Sequence, residues 1–433
     1  MTKNIAYILL LLLPSTVLFS QTNLSLQDAV ERTLQNNYNI QMVKKDLQIT
    51  DNNISYGNAG FLPSLDAAAS YRFSAEDAET KTSQGTFPGN DNRATNKSAS
   101  LSLGWTLFDG FAMFARYDRF EELKNLNSIA LQLEIETRLQ ELFNTYYQIN
   151  MLDKSIALLD ETLKFSQERL NFLSASNEYG ATTGTEVLRA EVDYNTDNSN
   201  LKRQKVQRNA SINRLKYVMG EINDAQYNLT SDIEIDDLGD YTKLKELAFE
   251  RNSSIQQAMI NREISEYDEK IIEAAYYPNV KFNAAYSYTE QESDKGFILG
   301  SKNQGYNASI SASWNLFSGF QTRIADQNTE ILQEKQDIFI QSIRAMIEMN
   351  IMTNYQSYSD LKEILELEVQ NLKTANENFE RSKSMFKYGT INSLDLRQSQ
   401  INLLATEQRI VNLKYEIKTY ETMILMLSGQ LGR

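Results

Sequence analysis

The chain has 433 residues, 41% of them hydrophobic, and 57 acidic against 43 basic side chains give a formal charge of −14, with no histidine and no cysteine. That acidity argues against nucleic acid as a partner, because phosphate binding needs basic surface. The missing imidazole and thiol exclude Ser-His, Cys-His and thiolate mechanisms, nearly all zinc chemistry, a disulfide framework and a lipidated N-terminal cysteine.

Residues 1–20 read as a secretory signal peptide: Lys3 supplies the charge, Ile5–Leu13 the apolar run, and Leu18-Phe19-Ser20 a cleavage site before Gln21. No later run reaches the ~18 apolar residues of a membrane helix, which leaves a β-barrel open. Ser25 with Asp28 forms a capping-box start for a helix over Leu26–Gly60. After Pro63, strands are expected at 64–74 and 98–108. Leu65, Ala67, Ala69, Tyr71 and Phe73 alternate with small or polar residues in the first, as do Ala99, Leu101, Leu103, Trp105 and Leu107 in the second. The polar stretch Ala75–Lys97 reads as a loop facing the cell exterior.

Residues 111–179 contain neither proline nor glycine, so they predict a helical rod of roughly 100 Å at ~1.5 Å per residue. Apolar residues recur every seven at Leu142, Ile149, Ile156, Leu163 and Leu170, the pattern of a left-handed coiled coil. Asp109 reads as the N-cap of this rod, with Gly110 easing the bend, and a return helix is expected at 186–220.

The chain then repeats itself. A helix at 241–276, Pro278, strands at 280–289 and 306–317 around the loop Glu290–Gly305, a long helix at 320–388 and a return helix at 393–428 follow in the same order. The second rod carries its heptads at Ile351, Tyr358, Leu365, Leu372 and Phe379, with Ser318 as cap and Gly319 at the bend. An offset of 209 relates Trp105 to Trp314, Tyr179-Gly180 to Tyr388-Gly389, Glu186 to Asp395 and Gly220 to Gly429. Upstream the offset is 215, pairing Asn37 with Asn252 and Pro63 with Pro278, so six extra residues of the first repeat lie between Pro63 and Trp105. The repeats are 21–220 and 221–433. No cofactor motif, metal-ligand cluster or catalytic spacing is present in either, so no enzyme activity is expected.

Each strand core is about ten residues, the length of a tilted membrane-spanning strand. Trp105, Phe108, Trp314 and Phe317 stand at strand ends, where they suit a membrane-interface girdle and equally a plug at the strand-to-helix junction. A membrane admits only closed barrels, so four strands must share one with other copies of the chain. Two, three or four copies all give an even number of strands.

The opening Leu26-Gln27-Asp28-Ala29 with Asn37-Tyr38-Asn39-Ile40, the two proline junctions, the two Trp-x-Leu-Phe-x-Gly-Phe octets and the Tyr-Gly helix breaks recur in an order that resembles the TolC family of outer-membrane efflux ducts, over essentially the whole mature chain. The resemblance implies a mainly α fold with a β-barrel part. In a homotrimer, twelve shared strands would cross the outer-membrane lipid of a Gram-negative bacterium, and long antiparallel coiled-coil helices would form a periplasmic tunnel. It implies docking by a periplasmic adaptor (membrane fusion) protein and an inner-membrane transporter, and export of drugs, other small molecules or polypeptides.

The same resemblance places the adaptor-docking hairpin tips at Tyr179, Gly180 and Thr182 and at Tyr388, Gly389 and Thr390. Asp395 falls where the best-known members carry a carboxylate facing the periplasmic entrance, with Glu186 as its repeat counterpart. Three such acids would form a ring favouring cations; both also suit the first turn of a helix, where the dipole favours negative charge. Gln398 stands where a second ring carboxylate is expected and Ile391 where a basic gating residue is expected, so the family's polar latch does not transfer. A secreted coiled-coil structural protein is the competing reading, which accounts for the heptads and not for the strands.

Overall fold

The computed structural model describes residues 21–431 except 84, 224 and 296–298; the expected signal peptide at 1–20 lies outside the described residues. In chain order the elements are β1 (Gln21–Leu24), α1 (Leu26–Asn36), α2 (Tyr38–Asn53), α3 (Tyr56–Ala59), β2 (Ser64–Thr82), β3 (Gly85–Phe108), α4 (Ala112–Glu178) and α5 (Gly184–Val218). They continue with β4 (Gln226–Leu229), α6 (Tyr241–Arg251), α7 (Ser253–Glu273), β5 (Asn279–Ser293), β6 (Gly300–Ser313), α8 (Gln321–Lys387) and α9 (Ser393–Leu427). No described helix is long and apolar enough to cross a membrane. The chain folds into two compact units that each draw on both repeats: a helical one from the residues up to Gln41, Glu134–Asn252 and Ile347 onward, and a sheet-bearing one from Met42–Leu133 and Ser253–Met346.

In the helical unit, Ser25 and Asp28 complete the capping box that starts α1. The single helices expected at Leu26–Gly60 and 241–276 are broken. Asn37 interrupts the first and Asn252 the second, each in extended conformation. Asn37 Oδ1 accepts from the N–H of Asn39 and Ile40, restarting the helix as a cap, so the short polar amide replaces a helical hydrogen bond with its own. The core gathers around Tyr146, whose hydroxyl donates to the Leu24 carbonyl at 2.9 Å, with Leu139, Leu142, Ile149, Leu215 and Met219 fully buried.

The coiled-coil seam of α4 departs from the expected one beyond Ile149. Ile156, Leu163 and Leu170 are half-buried, and the buried positions are Leu152, Ser155, Leu159, Thr162, Ser166, Arg169 and Leu173. Their alternating spacing of three and four is still a heptad pattern, but four of the seven are polar, which hides the seam from a reading that follows apolar residues. In α8, Ile351 and Tyr358 are buried while Leu365, Leu372 and Phe379 are half-buried.

The sheet is antiparallel in the order β2-β3-β5-β6. Leu65 stands opposite Leu103 in the first hairpin, and the equivalent Val280 opposite Ala312 in the second, so the repeat preserves strand register. Both expected loops are largely strand: β2 and β3 run through Ala75–Lys97 as a ladder, with a register shift between Glu76 and Ala78, and β5 and β6 occupy most of Glu290–Gly305. Backbone pairing carried these ladders past the end of the apolar alternation, into residues whose polarity reads as loop. The six extra residues of the first repeat fall at the far end of its hairpin, beyond Glu76. Strand β6 stops at Ser313 instead of reaching 317.

Candidate functional site: hairpin tips and strand-to-helix junctions

Where α4 turns into α5 and α8 into α9, the chain ends each long helix in the same way. Gly180 has φ 73° and Gly389 φ 71°, values that an L side chain adopts only under strain. Ala181 N–H donates to the Ser176 carbonyl at 2.8 Å and Gly180 N–H to Asn177 at 3.0 Å; Thr390 to Met385 and Gly389 to Phe386 repeat the pair, both at 3.0 Å. This is a Schellman turn, which satisfies the last helical carbonyls and releases the chain to reverse direction. The preceding tyrosines have nothing to pack on: Tyr179 is 88% and Tyr388 79% exposed. Thr390 Oγ1 donates to the Met385 carbonyl, tying that residue into the turn.

The two acids beyond the tips occupy different surroundings. Thr182 Oγ1 donates to Glu186 Oε2 at 3.3 Å, so this half-buried carboxylate braces its own tip. Asp395 is exposed in the first turn of α9, its N–H capped by Asn392 Oδ1 at 2.9 Å, which leaves the carboxylate to the solvent side.

Behind the tips lies a buried ionic cluster that sequence reading missed. Arg397 of α9 forms a two-pronged pair with Asp197 of α5, Nη1 to Oδ2 and Nη2 to Oδ1 each at 2.8 Å, and also reaches Ser166 Oγ of α4 at 3.3 Å. Arg169 of α4 pairs with Asp193 of α5 and donates to the Ser393 carbonyl at 3.3 Å. Gln400 joins by accepting from Arg397 at 3.0 Å and donating to the Thr162 carbonyl at 3.2 Å. The cluster therefore fixes α9 to the α4–α5 hairpin through charge-assisted bonds in which Arg169, Arg397 and Asp197 are buried and Asp193 sits at the partly exposed edge. One signal for it was in the repeat: Arg397 stands where the first copy has the exposed Leu188.

Between α4 and α8 a groove of about 350 Å³ is lined by Phe165, Phe172, Phe386 and Leu396 with the stems of Lys383 and Lys387. Phe165 meets Phe379 and Phe172 meets Phe386 edge-on, at 5.1 and 5.4 Å between ring centroids. Phe165 and Phe172 lie one heptad apart, as do Phe379 and Phe386.

At the junctions in the sheet-bearing unit, Trp105 Nε1 donates to the Phe61 carbonyl and Trp314 Nε1 to the Tyr276 carbonyl, both at 2.9 Å, while both rings remain exposed. An apolar ring held outward by a satisfied N–H has the amphipathic character that suits a bilayer interface. Phe108 packs edge-on against Phe111, and Phe317 against Phe320. Asp109 and Ser318 do cap the long helices, accepting from Met113 and Thr322 N–H, but from two residues ahead of the N-cap position, because α4 starts at Ala112 and α8 at Gln321. Phe111 and Phe320 intervene with positive φ of 72° and 65°, matching strained residues that swing the chain from strand to helix.

The sequence matches the family described as outer membrane efflux protein over residues 29–221 and 244–430. Among solved structures, the fold is similar to CusC at a TM-score of 0.76 and 14% identity, over 95% of this chain and 96% of that one. VceC from Vibrio cholerae matches at 0.72 and 16%, over 93% and 96%, and the open state of MtrE from Neisseria gonorrhoeae at 0.73 and 12%, over 94% and 89%. No curated protein matches by sequence.

Proposed function

Because the chain belongs to the outer membrane efflux protein family, we propose that three copies of it form the passive exit duct of a tripartite exporter, through which small molecules such as drugs leave the cell. It is an outer-membrane channel protein and not an enzyme. In this reading the sheet spans the membrane, the helices stand in the periplasm, and the energy for transport and the choice of substrate reside in an inner-membrane transporter joined through a periplasmic adaptor.

The observation that carries the proposal is the open four-stranded sheet with β2 and β6 at its edges and large apolar side chains exposed on one face, among them Leu65, Tyr71, Phe73, Leu101, Tyr306 and Ile310. Such edges are untenable in hydrocarbon, where each unpaired backbone group costs several kcal/mol, and a ring of copies removes them. Three copies give twelve strands, an even count within the known range of membrane barrels.

Within the duct, the exposed tips around Tyr179, Gly180 and Thr182 and around Tyr388, Gly389 and Thr390 are the adaptor-facing surface. Asp395 lines the entrance, Glu186 braces the neighbouring tip, and Trp105, Phe108, Trp314 and Phe317 mark the membrane interface. The exposure of Tyr179, Tyr388, Asp395, Trp105 and Trp314 supports these roles. The decisive experiment is the native mass of the protein extracted from outer membranes in detergent. Three copies are expected. A single copy that is soluble without detergent would overturn the duct and favour a coiled-coil structural protein.

A further inference from the structure

Beside the aromatic groove, α4, α8 and α9 enclose a second one that holds more acid than base. It measures about 170 Å³ and is lined by Glu161 of α4, Glu380 and Lys383 of α8 and Glu407 of α9, with Phe165 and Phe379 among them. The two grooves meet at Phe165 and Lys383, which line both. Glu407 is half-buried, and among the described residues its carboxylate makes no hydrogen bond and no ion pair. Burial, and then the charge of Glu161, hold its carboxyl above the ordinary value. Bases close by in the chain are engaged elsewhere: Lys164 with Asp160 at 2.8 Å and Arg409 with Glu368 at 3.0 Å. The ammonium of Lys383 stands instead over the Phe165 ring, 5.7 Å from its centroid.

The internal repeat shows that packing these helices does not require the charges. At the offset of 209, Glu161 corresponds to Gln370, Glu380 to Asn171 and Glu407 to Asn198, so an amide replaces every acid. A half-buried carboxylate without a counter-ion costs stability, and the other repeat avoids that cost at the same positions. The acids therefore answer to something other than the fold.

We propose that this groove binds an organic cation, its charged head between Glu161 and Glu407 and its aromatic or alkyl body against Phe165 and Phe379. Three carboxylates against one lysine give the attraction, and they would repel an anion. The rings fix the class further, because an aromatic face attracts ammonium and similar organic cations and offers no ligand atom to a metal ion, which would want oxygen on every side. Lys383 already places one such cation over Phe165, and its flexible stem lets it give way. Few polar groups in a largely apolar trough, continued by the apolar groove next to it, suit a small amphiphile. The inference names a class of passenger for the duct proposed above and takes its biological meaning from that reading, although the groove is built within one chain.

Tetraphenylphosphonium and its anionic isostere tetraphenylborate test the site. Binding of each to the detergent-purified full-length protein is measured by equilibrium dialysis for the natural sequence, Glu407→Gln and Glu161→Gln, all in one non-ionic detergent so that uptake by micelles cancels. Saturable binding of the phosphonium is expected, weakened about fivefold by either substitution, while binding of the borate stays the same or tightens. Glu161 is exposed, so its substitution keeps the test open if Glu407→Gln alters folding. Absence of saturable phosphonium binding, or an equal response of both ions to the substitutions, overturns the site. The native mass of the same sample separates the two readings: a multi-copy protein that fails to bind leaves the duct standing without this site, and a single-copy protein that binds keeps the site and removes the duct.

Discussion

Asn37 donates from Nδ2 to the carbonyl of Val218 at 2.8 Å, and its repeat counterpart Asn252 donates to the carbonyl of Leu427 at 3.0 Å. Each asparagine sits at the break in a shorter helix, and each carbonyl belongs to the last residue of a return helix, where four carbonyls lack helical partners. One side chain thus closes two helix ends. Asn37→Ala removes the donor and the cap of α2 together, which should cost about 1–3 kcal/mol and lower the melting temperature in detergent. Asn37→Asp keeps a capping oxygen but sets a carboxylate against the carbonyl, and should be no better than alanine. A melting curve unchanged by Asn37→Ala would show the bond to be idle.

The glycines that end the helices separate into two kinds. Gly220 has φ 71°, and a Cβ there would lie 2.2 Å from the Asn36 carbonyl oxygen, a backbone atom that cannot move aside alone. Gly180 has nearly the same φ, 73°, with open space around it. Gly180→Ala should therefore cost only the left-handed strain of about 1–2 kcal/mol, whereas Gly220→Ala should prevent assembly. The yield of detergent-extracted protein compares the two; equal yields would contradict the steric argument.

The Arg397–Asp197 pair is tested by asymmetry. Both side chains are buried, so Arg397→Met strands an uncompensated carboxylate and should destabilise by about 3–5 kcal/mol. Adding Asp197→Leu removes the stranded charge and should recover most of that loss. A double variant as unstable as the single one would mean that Ser166, Gln400 or packing carries the stability instead.

How far these features were legible varies with the interaction that decides them. The repeat, the strands around Leu65 and Leu101, the long helices and the Tyr-Gly turns follow from local period and from glycine, and they lie open in the sequence. The breaks at Asn37 and Asn252 do not, because each depends on a carbonyl some 180 residues away. Arg169 and Ser166 at buried heptad positions are equally hidden, since only the partner acids on α5 make such positions tolerable. The end of β6 is hidden for a third reason: Trp314–Phe317 has the sequence of a strand and, among the described residues, no strand beside it within the chain.

Asp395 offers a prediction about current rather than stability. An exposed carboxylate in the first turn of α9 interacts with the helix dipole whatever its surroundings, but only in a constriction does a ring of three also select ions. In planar bilayers, Asp395→Asn should lower the cation preference of the pore and its block by divalent cations while the trimer assembles normally. Unchanged selectivity would return Asp395 to the helix terminus and leave the entrance to other residues.

Glu407 supplies the pH dependence. It lines a groove with Glu161 of α4 and with Glu380 and Lys383 of α8, and burial pushes its carboxyl above the ordinary value, reinforced by the charge of Glu161. A carboxyl raised on folding binds its proton more tightly in the native state, so its contribution is present at acid pH and is lost as pH rises through the raised value. At neutral pH the ionised group is therefore a mild burden. Glu407→Gln, which mimics the protonated form, should raise the melting temperature by about 1–3 °C at neutral pH, and the gain should vanish below the ordinary carboxylate range. A gain that stays constant across that interval would trace to packing of the amide and not to charge.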